Sequence, residues 1–408
     1  MTKQPKAVWA VAFSSMIAFM GIGLVSPILP AITEQLGATA TQTSLLFTSY
    51  LVITGVAMFF TSFISSRIGA RRTLMTGLAI IVVASFGAGA SGTIEGIIAF
   101  RAVWGLGNAM FISTALSTII SESRGSTGAA VILYEAALGL GIAVGPLVGG
   151  LLGSIAWQAP FYGASTLMAL AFILLAVMMR GPEARNAATS LPAPFKALAN
   201  PTLLAVAMVA LFYNIGFFVI MSFTAYPLHF TAMGIGLVFT GWGLGLAITS
   251  VFGAPMLTRR FKRTHVLVGA LTLLSLTLVG FALLINSPGA LVAMMVLAGL
   301  ELGIMNTVLT EVVMDATDLP RSVASSSYSG IRFLGGAISP PLAAALASAF
   351  TMATPYLMGA ASVAVAAVLL ASCSRLLAHA NEHRPEPVAG FEVEAEAEPV
   401  SAGDDRNP

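Results

Sequence analysis

The chain is short of what a water-soluble protein is built from. Only 9% of its 408 residues are charged and 57% are hydrophobic. An ordinary soluble domain carries about 25% charged residues. So little polar material cannot cover a water-facing domain of this size, which excludes a soluble enzyme and a nucleic-acid binder. The single cysteine, Cys373, excludes a disulfide framework and a thiolate metal centre. The four histidines form no HExxH pair, and His379 and His383, four apart, fall in a charged C-terminal segment. No nucleophile elbow or aspartate dyad stands in the apolar runs, and no strand precedes the Gly139-Leu-Gly141 spacing as a nucleotide fingerprint requires. No metal, no cofactor and no enzymatic activity are expected.

What the chain has instead is long apolar runs. They cover 7–32, 44–66, 73–91, 95–120, 128–153, 160–180, 201–226, 235–258, 265–285, 290–313, 323–350 and 354–374. Each can cross a hydrocarbon core of about 30 Å. Lipid offers no partner for an open strand edge, so all twelve are expected to be helices. The fold class is an all-α polytopic membrane protein with twelve transmembrane helices. Two of the 19 lysines and arginines, Arg101 and Arg332, lie inside runs; the other 17 fall at the N-terminus, in alternate loops and in the tail. By the positive-inside rule both termini face the cytoplasm. The expected location is the bacterial inner membrane.

The net charge of +2 hides a division. Up to Arg375 the chain has 17 basic and 9 acidic residues; from Leu376 it has 2 and 8. The organisation expected is a six-helix half over 1–180, a polar cytoplasmic linker over 181–200 with Pro182, Pro192 and Pro194, a second six-helix half over 201–374, and a disordered acidic tail over 375–408. The halves read as a repeat. An offset of about 195 residues sets Arg259 and Arg263 against Arg67 and Arg71, and Pro340-Pro341 against Gly145-Pro146. Parallel repeats with a site between them are a transporter plan.

Four motifs carry a resemblance. Span 1 reads Gly21-Ile-Gly-Leu-Val-Ser-Pro27-Ile-Leu-Pro30. The loop after span 2 reads Ser66-Arg67-Ile-Gly69-Ala70-Arg71-Arg72. Span 4 carries Arg101-Ala-Val-Trp104-Gly105-Leu-Gly107, and span 5 carries Gly141-Ile-Ala-Val-Gly145-Pro146-Leu-Val-Gly149-Gly150. Over residues 7–374 the chain resembles the major facilitator superfamily, and within it the twelve-span drug:proton antiporters. The resemblance implies two pseudo-symmetric halves and gating roles for the loop and span 5 motifs. Glycines at i, i+4 and i+8 also make a flat face for close helix approach without reference to any family. The loop departs from the family pattern: Ser66 stands where an aspartate is usual, which puts the cytoplasmic latch in doubt. Arg71 or Arg72 with Glu122, and Arg263 with Asp315, are candidate replacement ion pairs, beside the plainer reading that these arginines only orient the chain.

Ionisable groups at membrane depth are functional candidates by default. Those singled out are Arg101, Glu135, Glu301 and Arg332. Counting about 1.5 Å per residue puts the last three at similar depth. Glu301 and Arg332, on consecutive spans, are candidates for a mutual ion pair. Glu135 has no cation within a turn on its own span, so it is the first choice for loading and releasing a proton, with Glu301 second; a permanently protonated Glu135 bonded to a neighbouring helix is the alternative. Arg101 cannot carry the proton because it stays charged; it is expected to bias the titrating acid or orient waters near it, with a purely structural role, bonding backbone carbonyls, as the alternative. Tyr50, Trp104, Asn108, Tyr134, Tyr213, Asn214, Phe217, Trp242 and Asn306 are the candidate cavity residues, and 19 methionines supply adaptable packing.

The function expected is a monomeric, proton-coupled exporter of hydrophobic small molecules or drugs, whose partners are its substrate, protons and the lipid bilayer. A dedicated exporter of one metabolite, sugar or lipid intermediate is the alternative. An intramembrane enzyme or a sensor is the remote one.

Overall fold

The computed structural model describes residues 4–124, 126–179, 189–315 and 320–374. Residues 181–188 of the expected linker and the whole expected tail lie outside the described residues. Among the described residues twelve helical units are long and apolar enough to cross a bilayer. They are α1 (Lys6–Gln35), α2 (Ala40–Ile68), α3 (Ala70–Ala90), α4 (Ile94–Glu122), α5 (Thr127–Gly153), α6 (Ala159–Met178), α7 (Pro201–Leu228), α8 (Ala232–Arg260), α9 (Arg263–Leu283), α10 (Pro288–Asp315), α11 (Ser322–Ala349) and α12 (Thr354–Ser372). Their bounds fall within four residues of the apolar runs.

Local chemistry sets where several units begin. Thr39 and Gln42 form a reciprocal capping box ahead of α2; Thr93, Ser126, Asn200 and Thr231 cap α4, α5, α7 and α8 through their side-chain oxygens. Each cap satisfies amide donors that the first helical turn leaves free. Gly69, between α2 and α3, has φ 91°, a conformation that side chains rarely adopt, so the turn there depends on glycine. Prolines locate the breaks. α1 passes through a short 3-10 turn at Ser26–Ile28, around Pro27, before its last helical piece, and α8 contains a π turn at Thr249–Gly253 just before Pro255.

Packing divides the helices into inner and outer sets. α3, α6, α9 and α12 carry exposed apolar side chains, including Val83, Phe86, Leu170, Ile173, Leu276, Leu283, Val365 and Val368. In water so broad an apolar surface would aggregate; in a bilayer it meets acyl chains. α1 and α4 are the most enclosed spans. α1–α6 form one half and α7–α12 the other, and the halves meet along two principal seams, α5 on α8 and α2 on α11.

α5 is wedged between helices of both halves. Gly141, Gly145 and Gly149 lie on the backbone of α1 at Met16, Met20 and Leu24, so the spacing of four on one helix meets the same spacing on the other. A second small-residue face of α5 meets α8. A Cβ added to Gly139 would stand 2.7 Å from Ala247 Cα, and one on Gly150 2.6 Å from the Ala232 carbonyl oxygen. Gly243 of α8 packs on the backbone of Ala143. Weak lipid solvophobicity leaves close backbone packing as the main source of helix association here.

The two ends of the bundle differ. One end carries Arg67, Arg71, Arg72, Arg259, Arg260 and Arg263 and is called the basic end below. There a short helix, Ala193–Ala197, leads into α7. Its Phe195 stacks on Phe59 of α2 at 4.8 Å between ring centroids, and its Pro194 carbonyl accepts a 2.9 Å hydrogen bond from Ser327 of α11. At the far end the Ser26 hydroxyl of α1 donates to the Met221 carbonyl of α7 at 2.9 Å, and these residues are 195 apart in the chain. That separation equals the repeat offset. A residue can touch its own repeat counterpart only near the pseudo-two-fold axis, so the axis passes between α1 and α7.

Candidate functional site

Between the halves lies a cavity whose walls come from α1, α4 and α5 on one side and α7, α10 and α11 on the other. Phe19, Ile112, Leu116, Leu138, Phe217, Phe218 and Phe333 give it an apolar and aromatic surface. Glu135 is its one acid and Arg332 its one base, and they come from opposite halves. The cavity volume is about 30 Å³. A drug-sized ligand needs far more, so the halves must part to admit one.

The polar groups of this cavity form a connected set. Thr310 of α10 donates a 2.9 Å hydrogen bond to Glu135 Oε1 of α5 across the seam. Glu135 is fully buried. Arg332 acts on it electrostatically from α11 without a direct ion pair. Arg332 itself is held in place twice: its guanidinium donates to Asn306 Oδ1 at 3.2 Å, and its own carbonyl accepts from Asn214 Nδ2 at 2.6 Å. Tyr213 donates to the same Asn306 oxygen at 2.8 Å, and its ring faces the guanidinium at 5.7 Å. Tyr328 lies beside Tyr213 and Thr310. Charged hydrogen-bonded groups in a dry site have a strong mutual influence.

The geometry sorts the residues singled out from the sequence. Tyr134, Asn214 and Phe217 line the cavity, and Tyr213 and Asn306 stand directly behind Arg332. The expected pairing of Glu301 with Arg332 is corrected. Thr277 of α9 donates to Glu301 at 2.7 Å, and Arg332 turns to Asn306. The two acceptors are five residues apart on α10, which turns them by roughly 140° about the helix axis. α11 can reach only one of those faces.

The expectation that Arg101 biases the titrating acid is also corrected. Arg101 is fully buried inside the first half, 4.3 Å from the Tyr50 ring centroid and 4.8 Å from that of Trp104, and its Nε donates to the Leu46 carbonyl at 3.2 Å. Its electrostatic neighbour is Tyr50, not Glu135. Tyr50 and Trp104 thus box an arginine instead of lining the cavity, a cation–π arrangement that offsets part of the cost of burying the charge. Asn108 is fully buried but does not line the cavity, and Trp242 packs on Phe217 and Phe239.

At the basic end, Arg263 does pair with Asp315, at 2.7 Å, and also with Glu311 at 3.4 Å. Among the described residues neither Arg71 nor Arg72 forms an ion pair with Glu122, and Arg71 donates to the Ala176 carbonyl at 3.1 Å. Ser66, in place of the usual aspartate, accepts the Thr189 amide at 3.1 Å and donates to the Phe63 carbonyl. Of the expected gating motif on α5, Gly141, Gly145 and Gly149 contact α1, while Pro146 and Gly150 contact Gly236 and Ala232 of α8. Sequence reading passed over Thr310, Glu311 and Tyr328. Glu311 alone carried a signal, being an acid inside the apolar run 290–313.

Twelve spanning helices in two halves, closed on a central cavity with one acid and one base, define a membrane transporter. The family model described as Major Facilitator Superfamily matches residues 11–226 and 202–402. The chain belongs to the Major Facilitator Superfamily. Multidrug efflux protein YfmO of Bacillus subtilis (strain 168) is 47% identical over 367 residues, 90% of this chain and 93% of the relative. Multidrug resistance protein 1 of the same organism is 27% identical over 297 residues, 70% of this chain and 76% of the relative. Among solved structures, the human organic anion transporter MFSD10 (TETRAN) superposes with a TM-score of 0.73 at 17% identity, over 90% of this chain and 99% of that one; the likeness concerns the fold.

Proposed function

We propose that the chain is a proton-coupled exporter of hydrophobic small molecules that works by rocking its two halves, in the cell membrane, with the basic end and both termini in the cytoplasm. The observation that carries this reading is the contact of Glu135 with Thr310 across the seam, inside an aromatic cavity that also holds Arg332. The identity to a protein named for multidrug efflux supports the substrate class. So does the lining: apolar and aromatic walls with few polar points accept varied hydrophobic ligands.

The chemistry follows from charge. With Glu135 ionised, a carboxylate on one half faces a guanidinium on the other. With Glu135 protonated, that attraction is lost and a neutral hydrogen bond remains. One proton therefore switches the electrostatic state of the seam. Substrate and proton that compete for this region exchange for each other, and a proton moving down 100 mV supplies about 2.3 kcal/mol to drive export.

The test uses purified, full-length protein in liposomes, with a panel of hydrophobic compounds that includes ethidium, with and without a pH gradient. Glu135→Gln is expected to insert and fold normally but to lose gradient-driven ethidium transport at least tenfold. Full gradient-driven transport by that variant would overturn the coupling role, and no gradient-driven flux of any compound by the wild type would overturn the function.

A further inference from the structure

The basic-end cluster Arg263, Glu311 and Asp315 lies outside the cavity, yet its middle member adjoins it. Glu311 follows Thr310, the residue that bonds Glu135. Glu311 pairs with Arg263 at the start of α9 at 3.4 Å, stands one turn before Asp315 on α10, and lies within electrostatic reach of Glu135 of α5. Its Oε1 also lies 3.9 Å from where a Cβ on Gly128 would stand, near the start of α5. Glu311 thus sits at the boundary between the halves, between the cavity acid and the basic end.

Among the described residues, Arg263, Glu311 and Asp315 together carry one more negative charge than positive. Arg263 is shared unequally: 2.7 Å to Asp315, whose side chain is 28% exposed, and 3.4 Å to Glu311, which is 7% exposed. A surplus buried charge is costly, and a proton on one carboxylate removes it. Asp315 holds the shorter contact and touches solvent, so Arg263 keeps a partner when Glu311 becomes neutral. Two acids on one arginine leave the inner acid free to change its protonation state.

We infer that Glu311 is a relay carboxylate that passes the coupling proton between Glu135 and the basic end, with Arg263 and Asp315 as its positioning residues. The inference rests on the reading of Glu135 as the coupling acid. In the step, the proton leaves a Glu135 carboxyl oxygen and reaches a Glu311 carboxylate oxygen through intervening water. Glu135 becomes a carboxylate as Glu311 becomes an acid. Glu311 then releases the proton to water at the Asp315 side. Charge is conserved, and no other reactant is needed.

Two measurements test it on the full chain. In liposomes, Glu311→Gln is expected to lower gradient-driven ethidium transport at least tenfold while ethidium counterflow without a gradient persists; Glu311→Asp restores driven transport with a displaced pH profile. Glu122→Gln, an acid at the same end outside the cluster, serves as the control and leaves both unchanged. Infrared difference spectra of purified protein between low and high pH need no substrate, and there Glu311→Gln is expected to lose a protonated-carboxyl band that Glu122→Gln keeps. Driven transport by Glu311→Gln at the wild-type rate and pH profile would overturn the relay, as would an unaltered infrared spectrum or a failure of Glu311→Asp to restore. If Glu135→Gln is inactive in driven transport and Glu311→Gln is not, the relay alone fails; if both transport normally, the coupling role of Glu135 fails with it.

Discussion

The two seams between the halves are built differently. Along α5–α8 the contact is backbone on backbone: Gly139 on Ala247, Gly243 on Ala143, Pro146 on Gly236, Gly150 on Ala232. Along α2–α11 side chains take part. Thr48 donates to the Ala337 carbonyl at 3.2 Å, Gly330 faces the Phe59 ring, and the short helix Ala193–Ala197 braces the basic end through Phe195 and Ser327. A smooth seam lets two helices roll with little change in contact. A seam of side chains has to break particular interactions. The first suits a pivot, and the second suits a catch.

The largest effect is expected where the obstruction is backbone. In Gly243→Ala the new methyl meets the main chain of Ala143, which cannot swing aside; in Gly330→Ala it meets a Phe59 ring, which can. Overpacking costs about 1–3 kcal/mol. Gly243→Ala is expected at the upper end of that range, with a lower melting temperature and transport reduced at least tenfold, and Gly330→Ala at the lower end. Equal effects in a thermal-shift assay would erase the distinction between the seams.

A middle-sized effect is expected from the catch. The Phe195–Phe59 stack is worth about 0.5–1.5 kcal/mol, so Phe195→Ala shifts the population open at the basic end by about 2–10-fold. In a Cys373→Ser, Ser329→Cys background, the rate at which a thiol reagent added at the basic end labels position 329 in the cavity wall reports this directly. An unchanged rate would show that the helix is not part of the catch. The smallest effect belongs to Ser66→Ala, which removes the acceptor of the Thr189 amide. One such hydrogen bond is worth about 0.5–1.5 kcal/mol, less when half-exposed, and a change of less than about threefold in the same labelling rate is expected.

The sequence carried the axial coordinate well and the angular one badly. Hydropathy located all twelve spans to within four residues, because the cost of a polar group in lipid falls at a definite depth. The spacing of Gly141, Gly145 and Gly149 announced a close helix contact, and α1 supplies it. Depth also placed Glu301 level with Arg332. It could not reveal that Glu301 and Asn306 point to different sides of α10, so the arginine's partner was misread. The aromatics failed for the same reason. Trp104 and Tyr134 are both aromatic and both inside apolar runs, but one boxes Arg101 and the other lines the cavity. Glu135 was singled out by the absence of a cation on its own helix, yet its partner Thr310 sits 175 residues away and carries no charge to betray it.

The brace of the short helix on α2 and α11 acts on time as well as on shape. A contact present in one conformation and absent from the next adds to the barrier for leaving the first. If the Phe195 stack parts as the basic end opens, it governs how long the transporter dwells closed there, and not how tightly it holds its cargo. Substitutions there would tune turnover frequency while leaving ligand selectivity to the cavity wall.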